Sequence, residues 1–149
     1  MDRRTFLTLT LASLAGLVLA ACDGGSAAPG GGAGAGTPDL VPIPQISSFN
    51  PLSFSFCKRD DDGLHVTVKN QGPGTAPQSI TRIDFGSAGG PFDVPTSSLN
   101  PGISVDVTHA IPLGCFNPDC DFTIVVNHGD AVDEGGADGN NEVSDRCIG

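Results

Sequence analysis

The chain has 149 residues, with 17 Asp or Glu against 7 Lys or Arg and a formal net charge of −10. That length holds one ordinary domain at most. A surface this acidic, with no Lys/Arg cluster to reverse it locally, repels phosphate backbones and excludes nucleic acid as a partner.

The amino terminus reads as an export address. Asp2, Arg3 and Arg4 precede an apolar run of about 16 residues, short of the roughly 20 that a spanning helix needs. Arg3-Arg4-Thr5-Phe6-Leu7 resembles the twin-arginine export motif, with general secretion as the alternative. Leu19-Ala20-Ala21-Cys22 resembles a bacterial lipobox, in which the Cys22 thiol receives diacylglycerol and the chain is cut after Ala21. A signal peptide over residues 1–21, lost on maturation, and a lipid on Cys22 are therefore expected. At about 0.8 kcal/mol per buried methylene, such an anchor holds a protein on a membrane that it does not cross. The expected location is extracytoplasmic, lipid-anchored to a bacterial membrane.

Residues 22–37 form the next unit. From Asp23 to Gly36 the composition is Gly, Ala, Ser and Pro apart from one Asp, and half of it is Gly, so a flexible tether is expected. Its root-mean-square span is on the order of 20 Å. Residues 38–149 are the folded domain.

Within that domain short apolar alternations are punctuated by Pro, Gly and Asn, and apolar residues never keep helical spacing for three turns. Strands are predicted over Leu40 to Ile46, Leu52 to Cys57, Leu64 to Val68, Ser79 to Phe85, Ile103 to Val107, Phe122 to Val126 and Asn141 to Ile148. Leu64, Val66 and Val68 alternate with His65 and Thr67; Ile103, Val105 and Val107 and then Phe122, Ile124 and Val126 repeat the pattern, each set presenting one face inward. Turn clusters separate them: Asp60-Asp61-Asp62-Gly63, Asn70 to Gly74, Gly86 to Pro91, Asn100-Pro101-Gly102, Asn117-Pro118 and Gly135 to Asn141. About seven short strands predict an all-β, immunoglobulin-like sandwich of two sheets. With neither Trp nor Tyr, its core has to come from β-branched residues and Phe54, Phe56, Phe85, Phe92 and Phe122.

Once Cys22 is assigned to lipid, Cys57, Cys115, Cys120 and Cys147 remain, an even set in an exported chain with three possible pairings. The Asn117-Pro118-Asp119 turn favours Cys115 with Cys120, which leaves Cys57 for Cys147. A zinc site is the competing reading, but no Cys-x2-Cys occurs and His65, His109 and His128 are scattered.

No catalytic constellation emerges: Gly-x-Ser-x-Gly, His-Glu-x-x-His and phosphate-cradling Gly loops are all missing, which argues against an enzyme. Between Asp130 and Asp145 carboxylates are dense on a Gly-rich stretch. Asp130, Asp133, Glu134 and Asp138 are candidate Ca2+ ligands there, although their spacing is not that of an EF-hand. The simpler reading is a solvated loop.

Taken in order, Leu64-His65-Val66-Thr67-Val68-Lys69-Asn70-Gln71-Gly72, Ala76-Pro77, Leu99-Asn100-Pro101-Gly102, Phe122 to Val126, Asp130, Val132, Glu134 and Asn140-Asn141 resemble the CARDB family, the cell-adhesion-related domain found in bacteria. The four Cys depart from its minimal pattern and read as extracellular reinforcement. The resemblance implies an immunoglobulin-like sandwich serving as an adhesion, spacer or ligand-binding module. Its expected partners are the membrane, through the lipid, and a cell-envelope protein or glycan. The alternative is a Ca2+-stabilised structural or carbohydrate-binding domain.

Overall fold

The computed structural model describes residues 36–46 and 54–149. The expected signal peptide with Arg3 and Arg4, the lipidated Cys22 and the tether up to residue 35 lie outside the described residues. Within them the strand segments are β1 (Leu40–Ile43), β2 (Gln45–Ile46), β3 (Phe54–Ser55), β4 (Arg59–Asp60), β5 (Gly63–Asn70), β6 (Ser79–Asp84), β7 (Phe92–Thr96), β8 (Ser104–His109), β9 (Cys120–Val125) and β10 (Glu142–Cys147). The only helical elements among the described residues are two 3-10 turns, Gly86–Ala88 and Asp138–Asn140.

The longer strands form the two antiparallel sheets of a sandwich. In one, β5 is central, with β8 along one side and β1 and β4 sharing the other end to end. The second runs β10-β9-β6-β7. Three long strands thus face four, an immunoglobulin-like arrangement. The short β2 and β3 pair with each other as a separate ribbon in the connection between β1 and β5.

Alternation explains the packing. Leu64, Val66 and Val68 of β5 turn inward against Ile83 of β6, and Phe122 and Ile124 of β9 join them with Phe85. On β6 the inward positions before Ile83 are Ser79 and Thr81; the Thr81 hydroxyl pairs with that of Thr96 at 2.7 Å, so the two buried polar groups satisfy each other.

Four expectations are corrected. The strand expected over Leu40 to Ile46 breaks at Pro44, which has no N–H to donate and releases the chain from β5 into the ribbon. A strand at Phe92–Thr96 was concealed by Pro95, which an edge strand tolerates. Ile103 precedes β8 and is exposed: its N–H closes the Asn100 turn at 3.1 Å, with Gly102 at φ 77° as the turn requires. Phe54, expected in the core, is exposed on the ribbon, while Phe56 and Phe92 pack only partly against the core.

Register divides the sandwich into two poles. At one, Leu40 lies opposite Asn70, Lys69 opposite Ser104, Ser79 opposite Thr96 and Glu142 opposite Val125. At the other, Leu64 lies opposite His109, Ile83 opposite Phe92 and Cys147 opposite Cys120. The chain enters the domain at the first, here called the tether pole.

Candidate functional site

The tether pole is built on buried polar side chains. Asn70 ends β5 with its amide fully used: Nδ2 donates to the carbonyls of Gly74 at 2.7 Å and Leu99 at 2.9 Å, and Oδ1 accepts from the N–H groups of Asp39 and Gly72, both at 3.1 Å. The chain passes so closely here that a Cβ at Gly74 would fall 2.0 Å from the Gly36 carbonyl oxygen. The Asn-x-Gly turn thereby ties three segments together.

Glu134 does the same for the acidic loop. Its side chain is buried, with Oε1 accepting from the Leu40 N–H and Oε2 from the amides of Asn127 and Asn141. Asn127, in the left-handed region at φ 52°, also exchanges two hydrogen bonds with the Val132 backbone. The candidate Ca2+ carboxylates are therefore divided. Glu134 points into the domain, Asp130 and Asp133 are exposed, and Asp133 accepts from the Gly135 N–H at 3.0 Å. Among the described residues no three His, Cys, Asp or Glu side chains gather closely enough to hold a metal.

The far pole is covalently braced. Cys57 is joined to Cys147 and Cys115 to Cys120, across sequence separations of 90 and 5. Asp145 adds a polar clamp between β10 and β3, accepting from the Ser55 hydroxyl at 2.9 Å and the Phe56 N–H at 2.6 Å. Phe85 packs against Phe92, His109 and Phe122, and the rings of Phe92 and His109 stack at 4.0 Å. A cleft of about 470 Å3 opens between the Gly86–Ala88 turn and the Cys115–Cys120 loop, with Asp119 and Asp121 in its wall. Arg146 offsets part of this charge, forking onto Asp121 and lying 3.8 Å from Asp119. At the chain's end, a Cβ at Gly149 would meet the Pro118 carbonyl oxygen at 2.2 Å, so this segment lies directly on the loop.

The outer face of the first sheet carries a ladder of cross-strand pairs. Thr108 lies opposite His65 and bonds its Nδ1 at 2.8 Å, while His65 Nε2 approaches Asp60 at 2.7 Å. One pair along, the Thr67 hydroxyl donates to Asp106, which also holds Lys58. Pairing across strands accounts for these contacts and stabilises the sheet modestly.

These carboxylates predict acid sensitivity. Hydrogen bonds from His65, Arg82 and Lys58 lower Asp60, Asp93 and Asp106 respectively from the ordinary value of 3.8. Burial pushes Asp145 up, but the Phe56, Arg146 and Ser55 hydrogen bonds together outweigh it, and its net shift is downward. Each group binds its proton less readily folded than unfolded, so their stabilisation is present above the unfolded value and is lost as pH falls through the folded values. Thermal melts should change little between about pH 7 and 5 and decline modestly below about pH 4, because solvent screens these exposed pairs. A flat profile down to about pH 3 would contradict this.

Several residues of the far pole were not singled out by sequence. Leu113 sits between Pro112 and Gly114, outside any alternation, and Ile148 follows the last strand, yet both are exposed. The flanking Pro and Gly were the only signal for Leu113.

The family model CARDB matches the chain over residues 37–145. No curated protein and no solved structure matches the chain.

Proposed function

The chain belongs to the CARDB family, a cell-adhesion-related, non-enzymatic kind of module, and we propose that it works outside the cytoplasm as a lipid-anchored adhesion or spacer domain. Cys22 is the lipid site, Arg3 and Arg4 belong to the export signal, and residues 22–37 tether the domain to the membrane. The partner at the other end is a cell-envelope protein or glycan.

The observation that carries this reading is the placing of the two braces. The chain enters at the pole locked by Asn70 and Glu134, while both disulfides lie at the opposite pole, where Cys147 pairs with Cys57 and Cys120 with Cys115. A domain joined to a surface at one end and recognising something at the other benefits from both ends being fixed. Two disulfides also suit an oxidising compartment.

Intact-mass measurement on protein extracted from cells tests the anchor. The expected species starts at Cys22, carries the mass of an acylated glyceryl group, and partitions into detergent. Cys22→Ser should abolish the lipid mass and the partitioning together. A species cut after Ala21 without added lipid would overturn the anchoring.

A further inference from the structure

We infer that β1 is the load-bearing strand of the domain: a clamp on Asp39 and Leu40 resists its extraction by a pull through the tether, and the Cys57–Cys147 bridge limits how far the chain can be drawn out. The direction of the pull rests on the proposed membrane anchoring; the clamp and the bridge do not.

The chain is gripped where it enters. Asp39 donates its N–H to Asn70 Oδ1 at 3.1 Å, and its carbonyl accepts from the Gln71 N–H at 2.8 Å. The Asp39 carboxylate accepts from Gln71 Nε2 at 2.9 Å and from Asn140 Nδ2 at 3.0 Å. The next N–H along, that of Leu40, goes to the buried Glu134. Five hydrogen bonds therefore fall on two consecutive residues, and they come from two separate segments, the turn after β5 and the acidic loop. The fit is close as well: a Cβ at Gly72 would lie 2.5 Å from the Thr37 carbonyl oxygen.

Register sets how the load falls. From the clamp β1 runs antiparallel to β5, with Leu40 opposite Asn70 and Ile43 opposite Thr67. A pull through the tether is directed along β1, across ladder bonds that lie perpendicular to the strand, so these pairs are loaded together and not opened one at a time. Leu40, Val41 and Pro42 are buried and must leave the interior in the same event. Once β1 slips, the chain lengthens only as far as Cys57, where the bridge passes the load to Cys147 at the end of β10. Against a pull on Gly149, residues 58–146 lie inside the covalent loop and carry none of the load. The bridge thus acts as a stop.

The test stretches the full mature chain, unlipidated and with both bridges formed, in optical tweezers between a thioether-linked handle on Cys22 and a peptide tag after Gly149. The oxidised chain should lengthen by less than about 70 Å at rupture, because only about 20 residues are released at about 3.3 to 3.6 Å each. After reduction the whole domain should be released, with a gain above about 300 Å. At a fixed force, Asp39→Ala should shorten the lifetime of the oxidised folded state about tenfold, and Gln71→Ala should shorten it by less. Arg82→Ala, which breaks the exposed pair with Asp93 inside the covalent loop, should leave that lifetime unchanged. Matching far-ultraviolet circular dichroism verifies that the variants fold. An oxidised step above the 70 Å limit of about 20 released residues, a lifetime that Asp39→Ala does not alter, or equal shortening by Arg82→Ala would each overturn the inference. Absence of lipid on Cys22 in the anchoring experiment would leave these step lengths and lifetimes untouched, so the two failures are distinguishable.

Discussion

Glu134→Ala should destabilise the domain by about 3 to 5 kcal/mol, the largest loss expected from any single substitution on the acidic loop. Removing the side chain strands the Leu40 N–H and the Asn141 amide, whose partner it is, and takes one of two acceptors from the Asn127 amide. Buried donors left unmade cost about 1 to 3 kcal/mol each, and the empty volume adds to that. For a domain of this size the melting temperature should drop by roughly 15 °C or more. Glu134→Gln should lose less, about half, because one oxygen remains; its NH2 must then face either the Leu40 N–H or the two Asn amides. Asp133→Ala, next along the chain but exposed, should cost less than about 1 kcal/mol. A calcium site would give the opposite ranking, with Asp130, Asp133 and Asp138 all mattering and EDTA lowering the melting temperature. Equal effects of Glu134→Ala and Asp133→Ala would refute the buried-network reading.

That loop marks a boundary of what the sequence could convey. Strands buried on one face announce themselves by alternation, so β5 and β9 were legible residue by residue from Leu64 to Val68 and from Phe122 to Val126. The Asn100-Pro101-Gly102 turn was legible because Gly at a positive φ and Pro before it are demanded by backbone sterics. Glu134 was not. Among Asp, Gly and Asn its carboxylate resembles a solvated ligand, and only the period-two spacing with Val132, both buried around an exposed Asp133, signals that it turns inward. The exposed pair Ile46 and Phe54 failed for a related reason. Alternation identifies a strand with two faces but does not say whether a second sheet covers one of them. Here Pro44 sends the chain into a ribbon that neither sheet covers.

The second large effect separates the two bridges. Converting Cys57 and Cys147 together to Ala should cost about 4 to 5 kcal/mol, and converting Cys115 and Cys120 together about 2 kcal/mol, because loop-closure entropy grows with the logarithm of the spanned length. The spans are 90 and 5 residues apart in sequence. Urea unfolding should therefore show a midpoint much lower for the first pair than for the second, with the long bridge holding β10 and the segment after β3 as one unit. Cys147 and Cys120 are both buried against Phe122 and Ile124 in the same core, so the packing lost at these two positions is comparable, and the difference between the variants reports mainly the loops. Larger destabilisation from removing the short bridge would mean that native-state packing, rather than chain entropy, governs both.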